Sequence, residues 1–450
     1  MMDLVGSIWW MVVSLGILVS FHEYGHYWAA RRCGVHVLRF SVGFGKPLWM
    51  RKNAIGTEFA VAAIPLGGYV KMLDEREFAV PAGQRQLAFN NKSVWQRIAI
   101  TAAGPVANLL LCVALLWVVF MLGRQDYSAT LGVPGGLAAE AGLVPGSRID
   151  QVDGRTVNTW AEASMALTLA AMDRRDARLQ LRLPDGHASE ALLPLSRLPE
   201  DFDERQVAAQ AGLNWSFMAV PARIGKLVPG GPAEGVLLPG DLIVAVDGVP
   251  VLDAAQVPAL VSALGQSGHP GLVEVLRGGE RLALELKPQQ DSADNAPPRW
   301  LLGVAFAPVQ MPAFDARQRH GPLAALPAAL RETGRLTADT LGMMRRLVTG
   351  NASLQNISGP VTIARVANAS ASRGADWFLY FLALMSLSLC IINLLPIPIL
   401  DGGHLLYYLI ELVKGSPLSE QAMAVGQSIG LAILAGLMGL AFYNDILGLF

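Results

Sequence analysis

The chain has 450 residues, of which 52% are hydrophobic and 16% are charged, and its formal net charge is −1. The length suggests about three domains. The apolar share is too high for an ordinary soluble globular protein. The balance of charge is close to neutral, and we expect no nucleic-acid partner. The composition therefore favours a protein with several membrane spans.

Four apolar stretches predict transmembrane helices, at residues 8–30, 98–122, 377–395 and 425–442. The first two are long enough to cross a hydrocarbon core of about 30 Å, and the other two are near the lower limit. The first stretch is not a cleavable signal peptide, because it lacks a basic start and carries His22, Glu23 and His26.

The distribution of charge predicts the orientation of these spans. Residues 31–97, between the first two spans, carry 11 Lys and Arg residues against four acidic ones. By the positive-inside rule this loop is cytoplasmic, so both termini and residues 124–375 lie outside. In a Gram-negative cell that places the large segment in the periplasm and the spans in the inner membrane. Residues 124–375 contain none of the three cysteines, so we expect no disulfide framework in this segment.

The external segment contains an internal repeat. Residues 141–157 and 235–251, about 94 positions apart, share a Pro-Gly turn, an apolar strand, an Asp-Gly hairpin signal and a second strand. The order of these features resembles the PDZ domain family, in two copies over residues 124–214 and 215–308. The resemblance implies small α/β modules with a groove beside an exposed strand edge, where peptide C-termini can bind. Two unrelated modules that share a turn would not repeat the whole order.

The remainder of the external segment, residues 309–375, reads as an amphipathic helix followed by a linker. Apolar residues recur at helical spacing over 322–348, opposite several arginines, as in a helix that lies on a membrane or on the spans. A soluble amphipathic helix fits the same pattern. Residues 286–300 are polar and contain prolines, so we predict a loop there.

The first span carries the pattern His-Glu-x-x-His at His22, Glu23 and His26. Residues four apart share one face of a helix, so both imidazoles can reach one metal ion. Glu23 projects about 100° from His22, where it can take a proton from water. Ionisable groups inside a membrane span are expensive, so they indicate function.

Two histidines leave a zinc site one protein ligand short. Soluble proteins with this motif often take the third ligand within about 25 residues downstream. That window contains no acidic residue, and the spacing of His36 and Glu58 is unsuitable. Asp401 is the better candidate. It follows the third span, which crosses the membrane in the same direction as the first, so it lies on the same side as His22 and His26. The prolines and glycines beside Asp401 let the chain turn there.

Together, His-Glu-x-x-His and the segment from Asn393 to Gly402 (Asn-Leu-Leu-Pro-Ile-Pro-Ile-Leu-Asp-Gly) resemble the site-2 protease family of intramembrane zinc metalloproteases. The resemblance implies a polytopic α-helical membrane protein with four transmembrane helices, a membrane-associated β-hairpin and two periplasmic PDZ-like modules. Residues 1–123 would carry the first two spans, and residues 376–450 the last two. The implied site residues are Glu23 as base, His22, His26 and Asp401 as ligands of one Zn²⁺, and Asn393, Pro396, Pro398, Gly67 and Gly68 as substrate contacts.

The implied substrate is a single-pass membrane protein that is cut within the lipid bilayer. An anti-sigma factor already trimmed on its periplasmic side fits this description, and remnant signal peptides are a second class. The PDZ-like modules would then exclude untrimmed substrates or read a new C-terminus. His404, beside the site, is expected to have a supporting or structural role.

Two other functions fit the sequence less well. A non-catalytic scaffold that presents peptide-binding modules would not need His22, Glu23, His26 and Asp401 to be intact. A metal transporter would carry polar residues along several spans, whereas the fourth span has few before Asn444.

Overall fold

The computed structural model of the chain describes residues 2–77, 79–200, 202–291, 299–308 and 312–447. These residues divide into two compact units. The first unit combines Met1–Arg124 with Arg317–Phe450, and the second is Gln125–Ala316.

The first unit is built mainly of long helices, and the second of short strands and helices. The α-helices are α1 Met2–Arg32, α2 Val94–Leu122, α3 Gly136–Glu140, α4 Trp160–Met172, α5 Val207–Gln210, α6 Val257–Ser267, α7 Pro322–Thr349, α8 Pro360–Arg373, α9 Ala375–Leu394, α10 Asp401–Lys414 and α11 Glu420–Leu447. The strands are β1 Val37–Lys52, β2 Glu58–Met72, β3 Arg124–Asp126, β4 Arg148–Val152, β5 Arg155–Thr156, β6 Ala177–Arg182, β7 Ala188–Leu193, β8 Ile224–Leu227, β9 Leu242–Val246, β10 Val249–Pro250, β11 Gly271–Arg277, β12 Glu280–Leu286, β13 Gln289–Asp291, β14 Arg299–Leu301, β15 Val304–Phe306 and β16 Ala316–Gln318.

Four of the described helices, α1, α2, α9 and α11, are long and apolar enough to cross a membrane. They coincide with the four predicted spans. The helices extend beyond the apolar stretches in α1, α2 and α11 because polar end residues can continue a helix into the interface. In α2, for example, the helix begins at Ser93, whose hydroxyl accepts a hydrogen bond from the Gln96 N–H and whose own N–H donates to the Gln96 side chain.

Strands β1 and β2 form a bent antiparallel hairpin between α1 and α2. Both strands change direction partway, so the first half of β1, residues 37–42, pairs with residues 68–72 on one side and residues 58–61 on the other. The second half of β1 pairs with residues 58–62. Among the described strands, residues 68–72 therefore form an outer edge of this small sheet. The ring of Tyr27, on α1, contacts the rings of Phe40 and Phe59 and fixes the hairpin against that helix.

The second unit contains two four-stranded antiparallel sheets with the same strand order. The first sheet runs β5-β4-β6-β7 and packs with α4, and the second runs β10-β9-β11-β12 and packs with α6. In each sheet the first two strands join through an Asp-Gly turn with a positive φ, at Asp153 and at Asp247. Each sheet has its own apolar core, centred on residues such as Ile149 and Leu167 in the first and Ile243 and Val261 in the second.

Two further segments can be compared with the sequence. Helix α7 covers the predicted residues 322–348 and packs through Ala325, Ala329 and Thr333 against α2. The prediction of a loop over residues 286–300 is wrong at residues 289–291 and 299–300, where β13 pairs with β14, and holds at residues 287–288. Backbone pairing there overrides the polar composition, and the rest of that segment, residues 292–298, lies outside the described residues.

Candidate metal centre and active site

His22 and His26 lie one turn apart on α1 and face α2. Their rings meet edge to face, with centroids 4.8 Å apart. Helix α2 approaches closely because glycines stand at the contact: a Cβ atom on Gly104 would lie 2.2 Å from His26 Nε2, and one on Gly25 would lie 2.2 Å from the carbonyl oxygen of Ala103. The histidines are therefore held between two helices in near backbone contact.

Asp401 reaches the two histidines through the turn between α9 and α10. Helix α9 ends at Leu394, and Asp401 is the first residue of α10. The turn is tight, because a Cβ on Gly402 would lie 2.2 Å from the carbonyl oxygen of Leu395 and one on Gly403 would lie 2.3 Å from that of Ile397. Only glycine fits at both places, so the Gly-Gly pair is what lets α10 begin beside the histidines.

The three side chains present one donor atom each to a common point. His22 Nε2 lies 3.2 Å from Asp401 Oδ2, His26 Nε2 lies 3.4 Å from the same oxygen, and the two nitrogens are 3.2 Å apart. Zinc in a tetrahedral site has bonds of about 2.0–2.1 Å, which place neighbouring ligand atoms roughly 3.3 Å apart. The nitrogen and oxygen donors are also those that zinc prefers. The triangle of donor atoms therefore fits one zinc ion.

The hydrogen bonds behind the triangle agree with metal binding. His26 Nδ1 lies 2.9 Å from the carbonyl oxygen of Ile100, so it must donate a proton there and leave Nε2 as a lone pair. Asp401 Oδ2 is buried and has no hydrogen-bond partner. Lone pairs that converge in this way need a cation between them. A hydrogen bond such as that from His26 Nδ1 to Ile100 holds a histidine ligand in place behind the metal.

Glu23 lies beside this triangle and is 9% exposed. It lines a cavity of about 910 Å³ together with His22, His26, Asp401 and residues 68–72 of β2. The strand is close, because a Cβ on Gly68 would lie 2.9 Å from Glu23 Cγ. The cavity thus combines a carboxylate, a set of metal donors and the outer edge of a strand.

The structure brings most of the predicted site residues into this one cavity. Asn393 and His404 also line it, whereas Gly67, Pro396 and Pro398 are not among the residues that line it. Pro398 instead lies against Gly430 of α11, and Gly67 lies under the ring of Phe44 with a φ of +135°. These three residues shape the backbone next to the cavity.

The cavity is also lined by charged residues. Arg97 of α2 forms a bidentate ion pair with Glu411 of α10, with N–O distances of 2.7 and 3.1 Å, and both side chains are nearly buried. Asp74 is paired with Arg76. Burial raises the pKa of Asp74, but the hydrogen bonds from Arg76 outweigh it and hold that pKa below its usual value. No local sequence pattern reveals the Arg97–Glu411 pair, because its members lie 314 positions apart.

Comparison with known proteins agrees with this geometry. The profile of Peptidase family M50 matches residues 10–437. The chain belongs to this family. A protein of Xylella fastidiosa strain 9a5c that is assigned as a zinc metalloprotease is 63% identical over 446 residues, which cover 99% of this chain and 100% of that protein.

Relatives of more distant sequence carry a more specific name. The regulator of sigma-E protease of Escherichia coli K12 is 38% identical over 438 residues, covering 96% of this chain and 97% of its own. That of Salmonella typhimurium strain 14028s is 37% identical over 449 residues, covering 99% of each chain. The resemblance to the site-2 protease family is confirmed. The predictions that the chain is a metalloprotease and that its cofactor is zinc are confirmed as well.

Proposed function

We propose that this chain cleaves single-pass membrane proteins within the lipid bilayer, with zinc held by His22, His26 and Asp401 and with Glu23 as the general base. The observation that carries the proposal is the convergence of three donor atoms, 3.2 to 3.4 Å apart, between helices of transmembrane length. When bound, zinc would acidify a water molecule and polarise a peptide carbonyl.

The residues of the chain supply the remaining chemistry. Glu23 accepts a proton from water and can return it to the nitrogen of the leaving peptide, since a carboxylate beside the reacting atoms can act in both directions. Its burial beside His22 and His26 keeps it oriented toward the metal donors. The loss of this one proton acceptor should stop the reaction without removing the metal.

The outer edge at residues 68–72 is proposed to bind the substrate as an added strand. A transmembrane helix hides its peptide groups in its own hydrogen bonds, so it must unwind before water can attack. Strand addition satisfies the released N–H and C=O groups and exposes the bond to be cut. Asn393 lines the same cavity and is proposed to hold the substrate backbone. Gly67, Gly68, Pro396 and Pro398 are proposed to shape this binding surface.

The hairpin is proposed to sit at membrane depth. The second half of β1 and the turn that follows it expose large apolar side chains, with Leu48 74%, Trp49 54% and Ile55 56% exposed. Exposed apolar side chains of this size mark a surface that contacts membrane or protein. A membrane-embedded hairpin would present its opposite edge, residues 68–72, to a substrate helix that arrives within the bilayer.

The protein is proposed to reside in a bacterial inner membrane with both termini and residues 124–375 in the periplasm. The support is the excess of Lys and Arg in residues 31–97. A reporter fused near residue 290 should behave as periplasmic, and one fused near residue 80 as cytoplasmic. The reverse pattern would contradict the orientation.

Residues 124–214 and 215–308 are proposed to be two PDZ-like modules that select substrates by size or by a new C-terminus. The equal strand order of their two sheets supports this proposal. Replacing residues 127–308 with a flexible linker should leave proteolysis possible but allow substrates with bulky periplasmic domains to be cut. A linker variant that folds and binds zinc but cuts nothing would contradict a selective role.

The substrate is proposed to be an anti-sigma factor trimmed on its periplasmic side, acting in a sigma-E stress pathway. The support is that the relatives from Escherichia coli and Salmonella typhimurium carry the name regulator of sigma-E protease. Remnant signal peptides are a second candidate class. Co-expression with candidate single-pass proteins tests the proposal, with Glu23→Gln as the matched inactive control. Glu23→Gln should bind one zinc per chain and cut nothing, and cleavage by this variant would overturn the role of Glu23.

A further inference from the structure

Each metal-binding histidine needs a group that holds its second ring nitrogen. For His26 this group is the carbonyl oxygen of Ile100, 2.9 Å from Nδ1. For His22 the atom that faces Nδ1 is the amide nitrogen of Asn108, at 3.1 Å. Asn108 lies on α2, four residues after Gly104, and is completely buried.

The amide of Asn108 has an unusual environment. Its Oδ1 is buried and has no hydrogen-bond partner, which is unfavourable for a polar atom removed from water. The two ends of an amide have nearly the same shape, and a half-turn about the side chain exchanges them. After this half-turn Oδ1 faces His22 Nδ1, and the unpartnered oxygen gains a donor.

Zinc binding requires this second orientation. A histidine that binds metal through Nε2 carries its proton on Nδ1, so Nδ1 must donate, and only the oxygen of the amide can accept. We propose that Asn108 is a positioning residue that accepts the Nδ1–H of His22 and holds Nε2 toward Asp401 and His26. The inference rests on the proposed role of His22 as a zinc ligand.

The backbone at Asn108 is held where three helices meet. The hydroxyl of Ser386, on α9, donates to the backbone carbonyl oxygen of Asn108 at 2.8 Å. Asn108 therefore lies where three helices meet: α1 through His22, α9 through Ser386, and its own helix α2. From this buried position the amide of Asn108 can orient an imidazole without itself touching substrate or metal.

The test compares Asn108→Leu, which has a similar shape and no acceptor, with Asn108→Asp, which keeps an acceptor. Zinc affinity of the purified intact chain is measured by competition with a chelator. We expect affinity to fall about 10–100-fold in Asn108→Leu. In Asn108→Asp it should stay within about threefold of the parent, because carboxylates hold metal-binding histidines in the same way.

Two references separate positioning from packing and from the ligand assignment. Ser386→Ala removes a buried hydrogen bond at the same residue without touching the amide, and should bind zinc like the parent. His22→Ala should lose zinc. If His22→Ala loses zinc and Asn108→Leu does not, Asn108 has no positioning role; if His22→Ala keeps full affinity, the proposed ligand set is wrong.

Equal losses in Asn108→Leu and Asn108→Asp, or an equal loss in Ser386→Ala, would also overturn the inference.

A measurement on the parent chain does not depend on whether the variants fold. In zinc-bound protein labelled with ¹⁵N-histidine, His22 should carry its proton on Nδ1 and show slow exchange of that proton with solvent. An unprotonated Nδ1, or a rapidly exchanging proton, would contradict the role of Asn108.

Discussion

Gly104→Ala should disrupt the metal centre although residue 104 is not a ligand. The added Cβ would lie 2.2 Å from His26 Nε2 and 2.9 Å from His22 Cε1. Unbonded heavy atoms need about 3.5 Å, so the first contact is short by about 1.3 Å. The imidazole of His26 must turn away or α1 and α2 must separate, and either movement displaces a donor atom.

The size of the effect follows from that displacement. Zinc sites tolerate changes of about 0.2 Å in ligand distance, and a shift near 1.3 Å is several times larger. Structural zinc sites bind with about 10–16 kcal/mol shared among four ligands, so the loss of one ligand costs roughly 2.5–4 kcal/mol. Zinc affinity should therefore fall by about 10²–10³-fold.

The assay is zinc affinity of the purified chain by chelator competition, with thermal unfolding as the check that the helices remain assembled. Gly16→Ala is the matched control, because it lies on α1 and its Cβ would meet nothing within 4 Å. The control should bind zinc like the parent. A folded Gly104→Ala protein with parental zinc affinity would refute the close packing of α2 on the histidines.

Three further results are expected. Glu411→Gln should destabilise the chain by about 3–5 kcal/mol, measured by thermal unfolding, because it leaves the nearly buried Arg97 without a charged partner. Asp445→Ala should cost about 0.5–2 kcal/mol in the same assay, since its carboxylate accepts backbone N–H groups at the start of α8. Hydrogen bonds from Arg277 hold the pKa of the buried Asp241 below its usual value. Its stabilising effect is therefore present above pH of about 3.9 and lost as the pH falls through that lowered pKa. Hydrogen exchange over β9 and β11 should then show a difference between the parent and Asp241→Asn that shrinks below about pH 4.

Each of these three expectations has a contrary outcome. Parental stability of Glu411→Gln would mean that the ion pair is solvated rather than buried. Parental thermal stability of Asp445→Ala would show that the backbone groups at the start of α8 find other acceptors. A difference between Asp241→Asn and the parent that grows in acid would mean that the pKa of Asp241 is raised in the folded chain.

The sequence alone determined the features that depend on neighbouring residues. Apolar stretches predict α1, α2, α9 and α11 because the cost of burying polar groups in lipid depends on composition over about 20 residues. Spacing of four places His22 and His26 on one face because an α-helix has 3.6 residues per turn. The order of turns and strands in the repeat likewise follows from local Pro-Gly and Asp-Gly signals, and the two sheets have matching strand orders.

Only the tertiary structure decided which distant groups meet. The distances from Asp401 to His22 and His26 depend on the Gly-Gly turn and on the packing of α1, α2 and α10, which hydropathy does not encode. The outer edge at residues 68–72 arises because both hairpin strands bend. Only the folded chain places the amide of Asn108 beside His22. Contacts of this kind depend on helix rotation and side-chain direction in three dimensions, and no local pattern specifies them.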